Sequence, residues 1–485
     1  MGTRQQNIKG AREVAVERPL VTALEAYGRR GKARWHTPGH KGGRGMRALG
    51  WEWDLTEVAD LTPKTSREDP VHRSEQLMAE TFGAQRTWYS VQGATLPVMA
   101  AVLASCRPGS RVLVDRQAHR SVLSGIIIAG ASPVWAYPRL GPGGYPLPVD
   151  DEDRAEMIRR QDPQAVIVTN PTYDGLSAPL AATSRLCQER GIPLIVDEAH
   201  GTHFYGNPGF PLSALDQGAD LVCHGAHKTE AVLTQTGLLH QNSRLVSAQQ
   251  LQQAWEMLAT SSPSYLLMAS LDELQALRHT PDYRDQWVRF GRDMQEIWRD
   301  LETAGIFVLQ GWWQRSGGWA DPAKLTLVGN GERILSELRP FGEPEKADPF
   351  GVTLVLTPAD DLGVLRQALR TLGGAGGLAA PMAMWPQAVP VWPPGEAVRR
   401  PREWVPWREA AGRVAAAPVT LYPPGVPVIV SGERIDAGMV SWLESTRDWC
   451  RQRTGELQGF EPAPEGTLWK EGEEGLWVTT EFEER

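Results

Sequence analysis

Between about residue 70 and residue 290, short apolar runs alternate with longer stretches of helical periodicity. A helical stretch at 74–82 leads to the apolar residues 88–91, and a second covers 96–104. Strand-like runs follow at 111–115, 132–137, 165–169, 194–197 and 221–223, with helical stretches at 120–129 and 183–190 between them. Continuous apolar strands separated by helices predict a mainly parallel sheet covered on both faces. Ligands of such sheets bind beyond the carboxyl ends of the strands. Several of those ends carry polar or small residues here.

The flanks read differently. A short helical pattern at 21–27 gives way to His36, Thr37, Pro38, Gly39, His40, Lys41, Gly42 and Gly43, too rich in Gly and Pro for regular structure. This is either a surface loop or an arm lining a site. Pro38 and Gly39 prevent a helix that would align His36 and His40 on one metal, and the stretch lacks the ending of a nucleotide P-loop. Downstream, a helix through 287–304 leads into Gly311, Trp312 and Trp313, a glycine-rich link at 373–377 and a proline-rich stretch at 385–406. Helix-like patterns return at 407–416 and 437–452, and the acidic tail at 471–485 is either a poorly ordered end or a strand that docks late. These textures divide the chain into an N-terminal arm (1–55), a large domain (56–295) and a smaller α+β C-terminal domain (296–485), the last with a Gly/Pro-rich insert near 373–406.

Composition narrows the function classes. The 485 residues can bury more than one core, and 41% apolar against 22% charged is an ordinary soluble balance. A net charge of −8 implies no basic face and argues against a nucleic-acid binder. No apolar run reaches the roughly eighteen residues of a membrane span, and the polar N-terminus has no signal core. Cys106, Cys187, Cys223 and Cys450 are too widely spaced for a disulfide framework or zinc ribbon, which suits a reducing cytoplasm. The nineteen tryptophans point to packing rather than chemistry.

The chemistry-bearing residues gather at the ends of the apolar runs. Gln92, Gly93, Ala94 and Thr95 precede a helix, whose free amides and dipole favour an anion; Thr95 is placed to cap that helix, and a plain cap without ligand is the alternative. Asp197 ends a buried run and is either an acceptor for a cationic ring nitrogen or part of a structural ion pair or cap. Lys228, following His227, is either a solvated surface charge or a partly desolvated amine able to attack a carbonyl cofactor. His119 ends another run and could stack on the same ligand. A metal held by His200, His203, His224 and His227 beside Asp197 is a rival, but no His-Glu-x-x-His motif is present and Lys228 would be repelled by a cation.

Gly93-Ala94-Thr95, His119, Asp197-Glu198-Ala199-His200 and His227-Lys228, in this order, resemble the pyridoxal-phosphate-dependent ornithine/lysine/arginine decarboxylases of the aspartate aminotransferase fold. The likeness extends to residues 36–41, 54–57, 171–173, 260–265 and 422–427, and it looks like the short bacterial form without a receiver-like N-terminal domain. It implies a fold-type-I large domain with a mainly parallel seven-stranded sheet, and decarboxylation of a basic amino acid to a diamine or agmatine. It assigns Lys228 as the lysine that attaches the cofactor, Asp197 as partner of the pyridine nitrogen, and His119 as the residue stacked on the ring. Ala199 would pack on the opposite ring face with His200 close by, and Gly93, Ala94, Thr95 and His227 would hold the phosphate. Thr260 would reach the phosphate of a neighbouring subunit, which implies a homodimer. Two positions depart from the family: a hydroxyl residue is usual where Ala94 stands and a serine where Gly225 stands, so two phosphate donors are missing. The alternatives are another enzyme of the same fold, an aminotransferase or lyase, and a non-catalytic binding regulator.

Overall fold

The apolar runs assemble into one twisted sheet. The computed structural model describes residues 32–35, 41, 70–372, 387–451, 456–462 and 474–480; the patterns at 21–27, 54–57 and 373–377 lie outside them. The seven strands are β1 (Arg86–Ser90), β2 (Arg111–Asp115), β3 (Ser132–Ala136), β4 (Ala165–Thr169), β5 (Leu194–Asp197), β6 (Leu221–His224) and β7 (Gly237–Gln241). Their spatial order is β1-β7-β6-β5-β4-β2-β3. The run from β6 to β3 is parallel, while β7 is antiparallel to both β1 and β6.

Among the described residues, seven helices cover the sheet: α1 (Pro70–Phe82), α2 (Thr95–Ser105), α3 (Arg120–Ala129), α4 (Asp151–Gln161), α5 (Ala181–Arg190), α6 (Ala248–Leu258) and α7 (Tyr265–Arg278). Because successive strand side chains point to opposite faces, two cores form from the same strands. Leu113, Val166, Val196 and Val222 pack with Met78, Ile158, Leu186 and Leu271 on one face. Val112, Ile167, Ile195 and Cys223 pack with Val98, Val122 and Leu251 on the other. This double burial explains why the strands are nearly continuous in apolar residues.

Residues after 280 build two further cores. Helix α8 (Pro281–Thr303) leads to β8 (Phe307–Val308), α9 (Leu309–Arg315), β9 (Lys324–Val328), α10 (Gly331–Leu338), β10 (Lys346–Asp348), β11 (Gly351–Val355) and α11 (Leu362–Leu369). The strands form an antiparallel sheet in the order β8-β9-β11-β10, packed through Trp298, Leu325, Leu354 and Leu365. Farther on, β12 (Arg402–Pro406), β13 (Val419–Tyr422), β14 (Val426–Ile429), α12 (Ala437–Arg451), β15 (Glu456–Gln458), β16 (Glu461–Pro462) and β17 (Glu474–Thr479) surround a separate core that includes Trp407, Val428, Leu443 and Val478.

Three elements differ from the sequence reading. Residues 407–416 are not a helix: one 3-10 turn at Trp407–Glu409 is followed by Gly412 at φ +83°, and Val414 and Ala415 bridge to Arg434 and Val478. Tertiary pairing overrides the local alanine-rich propensity there. The proline-rich stretch is irregular only in part, because β12 pairs with β17, so the acidic tail contributes a docked strand. Thr95 does not cap α2; the cap position is Ala94, and it offers no side-chain acceptor.

Candidate active site

The parallel strands deliver their last residues to one rim. Asp115 ends β2, Thr169 ends β4 and Asp197 ends β5, with Thr169 paired to Asp197 and Asp197 to Cys223. After β6 the chain turns through Gly225 into the 3-10 turn Ala226–Lys228. Lys228 N–H donates to Gly225 O at 2.9 Å, and Gly225 N–H donates to Ala199 O at 3.2 Å, so the lysine is tied to the segment that follows Asp197.

Asp197 is buried and its Oδ1 accepts from Ala199 N–H at 3.2 Å. Burial raises its pKa, opposed by the charge of Lys228 and the Ala199 hydrogen bond. Lys228 is half-buried, and desolvation lowers its pKa against the pull of Asp197 and Glu345. Its Nζ lies 3.1 Å from His200 Nε2. A desolvated amine with a buried carboxylate nearby is the electrostatic arrangement expected for a nucleophilic lysine.

His119 caps α3, its Nδ1 accepting from Ser121 N–H at 3.2 Å, which leaves the ring proton on Nε2. Burial, then the charges of Lys228 and Arg120, push its pKa down to about 3. It is neutral at working pH, suited to stacking and not to proton transfer. The opposite side of the ring meets the 422–427 loop: a Cβ on Gly425 would lie 2.9 Å from His119 Nε2, so the glycine permits that approach. His227 Nδ1–H donates to Thr236 O at 2.8 Å, which fixes the proton on Nδ1 in the neutral ring. The ring borders Gly93, where an added Cβ would stand 3.6 Å from His227 Cε1.

At the start of α2, the Thr95 and Leu96 amides precede any intrahelical acceptor, Pro97 has no amide hydrogen, and Ala94 supplies no cap. The His227 ring thus stands beside Gly93, which leads through Ala94 into the uncapped start of α2 at Thr95. Thr260 does not join Asp197 and Lys228: it is exposed, with its N–H donating to Gln92 Oε1 of the same chain at 3.1 Å. The four histidines weighed as metal ligands also diverge. His203 pairs with Asp321 at 2.8 Å and His224 with Glu198 at 2.8 Å, both away from Lys228, and among the described residues no metal-ligating cluster forms.

The residues present fit pyridoxal phosphate. An amine, a buried carboxylate, a neutral aromatic ring and an uncapped helix start surround one rim, and Thr169 Oγ1 there is buried without a hydrogen-bond partner. Other residues stand at the rim: Tyr173, which the resemblance covered without giving it a role, and Lys324 and Glu345, which sequence reasoning missed. Tyr173 O–H donates to Glu345 Oε1 at 2.8 Å and its ring packs edge-on against His200 at 5.1 Å. Lys324, fully buried at the start of β9, reaches His200 Nδ1 at 2.9 Å. Both Lys324 and Glu345 come from far along the chain, and nothing in their local sequence marks them. Lys41 is buried too, its Nζ donating to Val355 O at 2.7 Å, so this part of the 36–43 segment packs inward rather than lying as a surface loop.

Comparison with known proteins agrees with this architecture. Residues 18–297 match the Orn/Lys/Arg decarboxylase major domain, and residues 380–480 match the C-terminal domain of the same family. An arginine decarboxylase of Bacillus cereus is 35% identical over 267 residues, 53% of this chain and 58% of the relative. The chain therefore spans little more than half the length of that relative. An arginine decarboxylase of Bacillus subtilis is 30% identical over 463 residues, 89% of this chain and 94% of the relative. Lysine decarboxylase A from Pseudomonas aeruginosa superposes with a TM-score of 0.73 at 19% identity, covering 95% of this chain and 80% of that one, a likeness of fold. With both of its domains matched and a relative of 30% identity along most of its length, the chain belongs to the Orn/Lys/Arg decarboxylase family.

Proposed function

We propose that this chain decarboxylates a basic L-amino acid, lysine, arginine or ornithine, using pyridoxal phosphate attached at Lys228, and releases carbon dioxide with cadaverine, agmatine or putrescine. The observation that carries the reading is a carboxylate, Asp197, buried at the end of β5 and within electrostatic reach of Lys228, which stands in the turn after the neighbouring strand β6. When bound, the cofactor supplies an aldehyde for the substrate amine and a cationic ring that accepts the electron pair left as carbon dioxide departs.

Each residue has a physical task. Asp197 holds a proton on the ring nitrogen, and its burial strengthens that ion pair. His119 would cover one face of the ring, and, being neutral, it would add no charge to compete with Asp197. Ala199 would pack on the other face. Gly93, Ala94, Thr95 and His227 hold the phosphate through helix-start amides and the His227 ring. Lys228, with His227, would return a proton to the substrate's α-carbon. Thr260, exposed beside Gln92, would contribute to the phosphate site of a second subunit, which makes the working form a homodimer, and the widely spaced cysteines suit a cytoplasmic location.

Turnover of lysine, arginine and ornithine by purified protein with the cofactor tests the reading. Carbon dioxide and the matching amine are expected from at least one, and Lys228→Ala abolishes both turnover and the visible band of the attached cofactor. Keto-acid formation would shift the assignment to an aminotransferase, and a visible band without reaction on any of the three would make the chain a binding protein. Undiminished turnover by Lys228→Ala would falsify the lysine assignment.

A further inference from the structure

A cavity of about 180 Å³ adjoins the rim, far larger than the roughly 15 Å³ that one water needs. One side of it is the site described above. Thr169, paired with Asp197, and Tyr173, whose ring meets His200, both line it. Gln117, two residues before His119, lines it too. The other walls come from farther along the chain. Strand β10 and the turn after it supply Lys346, Asp348 and Phe350, and the C-terminal core supplies Leu421, Pro424 and Trp442. Apolar walls with a few convergent polar groups are the usual make-up of a small-molecule pocket.

The charged groups of the lining are Asp174, Asp348 and Lys346, two carboxylates against one ammonium. Lys346 is fixed in the wall. Its Nζ lies 2.9 Å from Asp174 Oδ1 and 3.3 Å from Asp348 Oδ2, and 4.8 and 5.5 Å from the centres of the Tyr145 and Tyr173 rings. Asp348 Oδ1 is occupied as well, accepting from Phe350 N–H at 2.9 Å and from Tyr145 O–H at 3.2 Å. Asp174 Oδ1 also accepts from Thr353 O–H at 2.9 Å, whereas Asp174 Oδ2 has no partner among the described residues. Outside the lining, Glu345 and Lys324 stand against Tyr173 with opposite charges. One negative charge and one open acceptor therefore remain for a guest. We propose that, given decarboxylation at Lys228 as set out above, this cavity takes the side chain of the basic substrate: its carbon chain lies against Phe350, Leu421 and Pro424, and Asp174 Oδ2 receives its terminal cation. A neutral chain of equal length is disfavoured because it leaves that acceptor buried without a donor.

Calorimetric binding of amines to the full chain with its cofactor tests the cavity without turnover. Cadaverine is set against n-hexylamine, putrescine against n-pentylamine, and agmatine against its neutral urea counterpart, so that each pair differs only in the terminal cation. The charged member of at least one pair is expected to bind roughly ten- to hundredfold more tightly, as one charge-assisted hydrogen bond allows. Asp174→Asn should abolish that preference, and Lys346→Met, which removes the opposing cation, should increase it. A wall that only holds the fold would weaken both members alike and leave their ratio where it was. Leu421→Trp, which fills the cavity, should weaken both members of the pair. Equal affinities in the unmutated protein, an unchanged ratio in Asp174→Asn, a lower ratio in Lys346→Met or undiminished binding in Leu421→Trp each overturns the assignment. Selective binding with no carbon dioxide released from any basic amino acid would keep the cation-binding cavity and overturn the proposed function. Decarboxylation with equal affinities within every pair would do the reverse.

Discussion

Asp197 and Lys228 divide the work at residue scale, and each is set by what surrounds it. Asp197 makes one short-range hydrogen bond, to Ala199, so its remaining acceptor capacity is available to a ring nitrogen. Asp197→Asn keeps the shape and removes the charge. The expected outcome is retained cofactor attachment with turnover reduced by roughly a hundredfold or more, about 2.7 kcal/mol of barrier. Equal turnover of the two proteins in single-turnover kinetics would sink the electronic role. Behind the site runs a buried chain from Glu198 through His224 and His240 to Thr87, with contacts of 2.8, 3.1 and 2.8 Å. Burial, then the Arg278 charge, lowers the His240 pKa to about 3, below the roughly 6.5 of an unfolded histidine. The unfolded chain then binds the extra proton, so this contribution is complete above the unfolded value and is lost as pH falls below it. At two units below, His240 alone removes roughly 2.7 kcal/mol of stability. Thermal melts of His240→Gln should therefore show a shallower loss from neutral to acid pH than the parent; parallel curves would contradict the linkage.

At the scale of elements, strand ends were the legible part and pairings were not. The runs ending at Asp115, Thr169 and Asp197 are apolar on both faces, so the sequence shows both the strands and the rim they deliver. Strand β7 was not read from its residues because buried His240 and Gln241 interrupt its apolar run, each satisfied only by partners distant in sequence or by its own turn. Lys324 and Glu345 were missed for a related reason: a charge beside an apolar strand looks like a surface charge until the fold supplies its partner. Gly225 acquires a steric meaning, since a Cβ there would stand 3.0 Å from Ala199 O and 3.1 Å from Lys228 Cδ and Cε. The small residue leaves room for the lysine stem even though it supplies no phosphate donor. Ala94 has no such constraint, as it is the uncapped first position before α2. Ala94→Ser should add a hydroxyl donor to the phosphate site and tighten cofactor binding by roughly three- to tenfold, as one net hydrogen bond allows. Fluorescence titration of the cofactor-free protein measures it, and unchanged affinity would place the phosphate elsewhere.

Across the whole molecule, a buried cation ties the C-terminal core to the large domain. Arg116, just past β2, donates through its guanidinium to Pro427 O, to Val428 O at 3.0 Å and to Glu433 Oε2 at 3.2 Å, and it lies over Trp135 at 4.9 Å. Arg120 N–H adds a bond to Gly425 O at 2.8 Å. These contacts press the 422–427 loop onto His119, so the same clamp that joins two cores also sets the ring that would cover the cofactor. Burial raises the Glu433 pKa and the Arg116 charge lowers it, so deleting the cation strands a carboxylate in the interior. Arg116→Met, close in volume, should destabilise the docking by about 3–5 kcal/mol, the cost of an unpaired buried charge. Because the loss comes from the stranded Glu433, adding Glu433→Gln to Arg116→Met should restore part of it. Limited proteolysis, with fragments mapped to the boundary before β12, and cofactor retention on dilution report the two consequences separately. A clamp that served stability alone would give faster cleavage with unaltered retention, whereas the contact through Gly425 and His119 requires both to change together.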